Sequence, residues 1–171
     1  MSGLDVVEIP VRPLLRLLGK WMASFSFASL PVRLNLCSAV AGALTLGWIY
    51  KIVWFFLFEN MREESATANA SRLSFFGAMA AVLAVGTNIA FWYGATRFNS
   101  GIFDVAMITG CIHMICVYGR SRKLFWSVLI GVVLGVCAAE SALFIAALPL
   151  ILHYSGAYTF PCSPRSPAHS L

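Results

Sequence analysis

The chain has 171 residues, 60% of them hydrophobic and only 11% charged, with a formal charge of +5 and a mean hydropathy of +0.82. Soluble domains carry about 25% charged and 45–50% apolar residues, so an ordinary globular fold is excluded. No basic run interleaved with aromatics is present to track a phosphate backbone, which excludes nucleic acid as the expected partner. The cation excess fits loops and anionic headgroups at a lipid bilayer.

Residues 1–33 read as a loop remnant followed by an amphipathic helix at about 9–29. Arg12, Arg16 and Lys20 recur at every fourth position and form one basic stripe. Leu14, Leu15, Leu17, Leu18, Trp21, Met22 and Phe25 cover most of the remaining surface. A basic stripe, a broad apolar face and a tryptophan describe a helix lying in the headgroup plane, and Pro13 suits its first turn. Ahead of it stand two acids, Asp5 and Glu8, and no apolar core of a cleavable leader.

Residues 34–154 hold four apolar stretches. A hydrocarbon core about 30 Å thick takes about 20 apolar residues in a helix to cross. Lipid tolerates no bare backbone polar group, so these stretches are predicted as membrane helices. Single spans are expected at 34–58, 73–96 and 102–118. The first carries Gly42, Ala43 and Gly47, small residues that let helices approach closely. A polar loop at 59–72 follows it, and the second span ends in the interface-type cluster Phe91-Trp92-Tyr93. The fourth stretch, 124–154, is too long for one crossing of roughly 17–25 residues. Its polar centre Glu140-Ser141 and its Pro149 predict two short helices, 124–139 and 141–154. Residues 155–171, with Pro161, Pro164 and Pro167 among serines, predict a disordered tail. The expected fold class is all-α, a polytopic transmembrane helix bundle with an N-terminal interfacial amphipathic helix.

Function must lie in the polar exceptions. The five cysteines and three histidines show no metal-ligand spacing, so no metal site is expected and the cysteines read as small packing residues. A carboxylate at a helix centre in lipid costs roughly 2.5–3.5 kcal/mol on insertion scales, which makes Glu140 a candidate site residue. Arg97, in the turn after the second span, and Asp104, at the head of the third, complete the candidates. These three are expected at one level, with Arg97 and Glu140 in one polar cluster. Dense cations in Arg120-Ser121-Arg122-Lys123 place the loops at 59–72 and 119–123 in the cytoplasm and the N-terminus outside.

The run Arg12-Pro13-Leu14-Leu15-Arg16-Leu17-Leu18-Gly19-Lys20, followed by Arg33-Leu34-Asn35-Leu36-Cys37-Ser38-Ala39 and Gly42-Ala43-Leu44, resembles one block of the bacterial protein O-mannosyltransferase-like proteins of the GT-C class. Phe91-Trp92-Tyr93-Gly94-Ala95-Thr96-Arg97-Phe98 is similar to that family's turn after a later span. Gly131 to Phe144, with Glu140-Ser141-Ala142-Leu143, is similar to its break between two helices. The likeness covers about residues 9–154. It implies a multi-pass protein of the cell (inner) membrane that uses a polyprenyl-phosphate-linked sugar at the extracytoplasmic face, with a protein or glycan acceptor. It implies further that the chain is a fragment, silent alone, because the family's first span and its acidic loop motif have no counterpart here. Asp5 and Glu8 are the only acids at the corresponding place and the only catalytic candidates.

Other readings stay open. Arg97 could simply cap a span, Asp104 could favour a helix dipole, and Glu140 could be a structural partner of Arg97. On the level of function, the alternatives are a small transporter or channel subunit, with Glu140 as an ion or proton ligand at a helix break, and a non-catalytic membrane scaffold.

Overall fold

The computed structural model describes residues 12–26, 28–62, 67–121 and 124–159. Asp5, Glu8 and the segment beyond 159 lie outside the described residues. Among the described residues there are seven helices and no strand: α1 (Pro13–Ser24), α2 (Leu30–Arg62), α3 (Thr67–Gly86), α4 (Ile89–Thr96), α5 (Ser100–Ser121), α6 (Leu124–Glu140) and α7 (Ala142–Thr159). The architecture is an all-α bundle. Leu30–Met61, Asn69–Gly86 and Ser100–Gly119 are long and apolar enough to cross a membrane, and α6 is a shorter apolar helix.

The distribution of side chains is that of a membrane protein. Large apolar groups point outward, with Phe76 69% and Ile89 86% exposed. The buried positions hold small or hydroxylated residues such as Ser38, Ala41, Thr45, Ala70, Ser74 and Ala78. Lipid is as apolar as leucine, so helices gain by close packing and not by expelling water. Gly42 shows what that requires. A Cβ there would stand 2.9 Å from the Cβ of Ala95, so α2 and α4 meet only because position 42 is glycine. The buried hydroxyls of Thr45 and Ser74 donate to Ala41 O and Ala70 O, one turn back on their own helices, which satisfies them without a partner helix.

The chain runs back and forth. α2 packs along α3, α4 and α5, α5 continues the bundle to α6 and α7, and α1 lies across α2 and α6. α2 is longer than the span expected at 34–58. Its 33 residues measure about 50 Å at 1.5 Å per residue, more than a hydrocarbon core of about 30 Å. It starts at Leu30 because a proline is tolerated in a first turn, and so the polar entry residues Arg33 and Asn35 are helical. At the other end it takes in Glu59 to Arg62, which shortens the loop expected at 59–72; residues 63–66 lie outside the described residues.

Two further expectations are corrected. The stretch 73–96 is not one helix but two, α3 and α4, separated at Thr87-Asn88. Thr87 Oγ donates to Leu83 O, and Asn88 Oδ1 accepts from Ala90 N at 2.9 Å. Asn88 thus caps α4 from an extended backbone (φ −69°, ψ 126°), and that side chain makes the break affordable. In the last stretch α7 runs on through 155–159, which were expected to belong to a disordered tail, and it contains Pro149 within the helix. The interruption between α6 and α7 is the single residue Ser141, one position beyond the turn expected at Glu140.

Candidate functional site

The most polar buried group in the bundle begins with a deficiency in α1. Arg12 is its N-cap residue and makes no side-chain cap, Pro13 follows, and no acidic residue stands in the first turn. The first N–H groups of any helix lack an intrahelical acceptor, and the helix dipole puts partial positive charge there. Glu140, at the last position of α6, supplies what is missing. Its Oε2 accepts from Leu14 N at 2.7 Å and its Oε1 from Leu15 N at 2.9 Å. The carboxylate is 2% exposed. A buried anion at a helix N-terminus, accepting two backbone N–H bonds, meets charge with charge and leaves no donor bare.

Beside it, Arg12 turns away from the basic stripe and forms a two-pronged pair with Asp104 on α5. Nη1 lies 2.9 Å from Oδ1 and Nη2 3.0 Å from Oδ2. Asp104 is 3% exposed, so the pair is largely removed from water, and the planar fork of arginine matches the carboxylate geometry. Arg16 and Lys20 remain exposed on the outer face of α1.

The far end of α1 is tied down as well. It has no basic residue in its last turn, and Arg33 of α2 fills that role. Its Nη1 donates to Met22 O at 2.6 Å and to Phe25 O. Positive charge is thereby held against the carbonyl end of the helix. Between these anchors Leu15 and Gly19 are buried, while Leu17 and Trp21 face outward, as an interfacial helix on a bundle should. In the link to α2, Ala28 takes a left-handed φ of 54°, a conformation that costs a non-glycine residue roughly 1–2 kcal/mol.

Of the sequence candidates, Asp104 and Glu140 therefore meet at the first turn of α1. Arg97 does not join them by any hydrogen bond or ion pair. Its guanidinium lies 4.6 Å from the ring centroid of Tyr93 and donates to Tyr93 Oη at 3.0 Å, on the exposed surface. It stands at the same end of the bundle: the turn that follows is pinned by Phe98 N donating to Asn35 Oδ1 at 2.9 Å, and Asp104 is in the second turn of α5. The expected Arg97–Glu140 pairing is replaced by Glu140 with the backbone of α1 and Arg97 with Tyr93. Sequence reasoning left out Arg12 as the partner of Asp104 and Arg33 as the anchor of α1. The available signal was the uncapped start Arg12-Pro13-Leu14-Leu15-Arg16, a helix N-terminus that needed an acceptor from elsewhere.

Ser141 makes the interruption after Glu140 local. Its N–H still donates to Cys137 O at 3.1 Å, its carbonyl accepts from Ile145 N at 3.2 Å, and its Oγ accepts from Phe144 N at 3.3 Å. Among the described residues no three His, Cys, Asp or Glu side chains cluster as metal ligands.

The family model for the N-terminal domain of the protein O-mannosyl-transferase TMEM260 matches residues 2–159. The chain belongs to this family. The match takes in every helix and both buried carboxylates, so the polar junction at α1 is part of a domain of an O-mannosyltransferase family. No curated protein and no solved structure matches the chain.

Proposed function

We propose that this chain is the membrane part of a GT-C-class protein O-mannosyltransferase, crossing the bilayer several times and working on a polyprenyl-phosphate-linked sugar at the extracytoplasmic face. The observation that carries the reading is the convergence of Glu140, Asp104 and Arg12 on the first turn of α1, inside a domain of that family. It fixes an amphipathic surface helix to the end of the bundle where Arg97 also stands. A membrane-bound sugar donor and a protein acceptor would meet at such a boundary between lipid and water.

The chemistry assigns different roles to the charged residues. In transfer, the acceptor hydroxyl oxygen attacks the anomeric carbon, the bond from that carbon to the phosphate oxygen breaks, and the hydroxyl proton passes to a carboxylate. Phosphate leaves with the negative charge, and an exposed guanidinium at this end can receive it. The exposure of Arg97 and its orientation on Tyr93 support assigning it that role. Asp104 and Glu140 have their oxygens engaged by Arg12 and by α1, which makes them positioning residues and not the proton acceptor. Asp5 and Glu8 are the candidates this chain offers for the base, on the segment leading into α1. Glu140 spends one lone pair of each oxygen on the start of α1 and is buried, so it serves that helix end and has no open path to an ion, which disfavours a transporter reading.

The test is transfer of mannose from polyprenyl phosphate to an acceptor peptide in bilayers by a transferase that contains this domain, since the chain alone is expected to be silent. Arg97→Ala is expected to raise the KM for the donor and to leave the folded helix content unchanged. Donor kinetics indifferent to Arg97→Ala would refute its assigned role. For orientation, single cysteines at Ser65 and Ser121 on a cysteine-free background should resist an impermeant thiol reagent in intact cells. Labelling of both from outside would reverse the proposed topology.

A further inference from the structure

Under the second half of α1 lies a cavity of about 570 Å³. Its roof is Leu18, Trp21 and Met22, and its walls run from Leu36 to Trp48 on α2 and from Phe103 to Met114 on α5, closed behind by Val133 and Cys137 of α6. Twelve residues of α2 correspond to a depth of about 18 Å at 1.5 Å per residue. That is close to half the thickness of a hydrocarbon core of about 30 Å. The lining is apolar throughout, and along one side it is formed by Leu36, Val40 and Leu44, each about half exposed. The cavity is thus long, narrow, one leaflet deep and open sideways to lipid.

A second groove of about 470 Å³ runs along α1, bounded by Leu14, Leu17, Leu18, Lys20 and Trp21. The two share Leu18 and Trp21, so the apolar slot leads at its mouth to a surface carrying Lys20. Arg16 stands one turn away on the same helix. Among the described residues the one ion pair is Arg12–Asp104, which leaves Arg16 and Lys20 outside any. An apolar slot one leaflet deep whose mouth carries the unneutralised Lys20 is complementary to an amphiphile with one long chain buried and an anionic head at the interface.

We infer that this slot holds an acyl chain of an anionic phospholipid from the surrounding leaflet, with its phosphate against Lys20, and that the lipid seats α1 from below. The position of the head favours a bilayer phospholipid over a polyprenyl-phosphate donor. Lys20 is five residues beyond Leu15, or about 8 Å along α1, from the end where Glu140 and Asp104 converge. A reacting phosphate would have to sit at that end, and a structural headgroup does not. The inference does not depend on the transferase reading, because it rests on the cavity and its cationic mouth alone.

The experiment is native mass spectrometry of the full chain released from bilayers of equal phosphatidylglycerol and phosphatidylcholine. The expected result is one phosphatidylglycerol retained in preference to phosphatidylcholine. Leu44→Trp, which fills the slot from its lipid-exposed side, should cut retention about tenfold, the scale of losing the burial of a few methylene groups. Val40→Trp does the same from an adjacent turn and serves if the first variant folds poorly. Lys20→Glu should abolish the preference for the anionic lipid while an unselective lipid remains. Leu150→Trp, on the outer face of α7, should change nothing. Retention indifferent to both tryptophans would overturn the proposal. So would one-for-one displacement of the phospholipid by added polyprenyl phosphate, since the slot would then be a donor site. Either result would leave the transfer assay, and the reading it tests, unaffected.

Discussion

Two interruptions divide the helices of this bundle, and they are built in opposite ways. At Thr87-Asn88 the side chains repair the break themselves. Thr87 returns to Leu83 O and Asn88 caps Ala90 N, both on an exposed surface. At Glu140-Ser141 only the serine repairs the break, through Phe144 N, and the glutamate beside it reaches out to Leu14 and Leu15, 126 and 125 residues away. The first interruption is a local fold in a helix. The second is a junction, because a buried carboxylate there satisfies donors on another element. Burial and reach, not the presence of a break, separate a structural kink from a candidate site.

The largest expected effect attacks the junction at its charge pair. Arg12→Ala should destabilise the fold by about 3–5 kcal/mol, because it strands the Asp104 carboxylate where water scarcely reaches. The paired change Arg12→Met with Asp104→Leu should recover most of that loss. Reversible unfolding in mixed micelles measures both, and a double variant no better than the single one would show that the pair's charge is not what matters. Next, Glu140→Ala should cost about 3 kcal/mol, the scale of two hydrogen bonds to a charged group less the relief of uncovering a buried anion. Asn88→Ala, at the self-repaired break, should cost only about 1 kcal/mol, the ordinary value for a lost cap. Equal losses at positions 88 and 140 would erase the distinction between the two breaks. The smallest effect is a coupling: Arg97→Ala and Glu140→Ala should add to within about 0.5 kcal/mol. A larger coupling would restore the direct pairing that the geometry replaces.

Much of this organisation was legible in the chain. Run lengths and hydropathy marked the helices, the basic stripe and Trp21 marked α1, and the polar centre at Glu140-Ser141 marked the interruption between α6 and α7. The split at Thr87-Asn88 was not legible, because a threonine and an asparagine inside an apolar run barely disturb its hydropathy, although Asn is a strong cap. The site was legible only in halves. Arg12-Pro13-Leu14-Leu15 lacked an acceptor and Glu140 lacked a donor, but nothing in sequence spacing pairs residues more than a hundred positions apart. Sequence alone sets Arg97 and Glu140 at one level as charges without an evident partner, which suggests pairing them. The bundle turns Arg97 onto Tyr93 instead, where aromatic face and hydroxyl satisfy it within one helical turn. Arg33 read as the entry to a span, and only the path of the chain after Ser24 brings the carbonyls of Met22 and Phe25 to it.

The central claim is that Glu140 holds the start of α1 through the backbone of Leu14 and Leu15. Amide hydrogen exchange of these two residues, resolved by NMR in lipid nanodiscs, tests it most directly. In the wild-type chain both amides should be protected although no helical carbonyl accepts from them. In Glu140→Ala that protection should fall to the level of an open helix end, while amides around the Asn88 break keep their rates. Unchanged protection at Leu14 and Leu15 in Glu140→Ala would contradict the account.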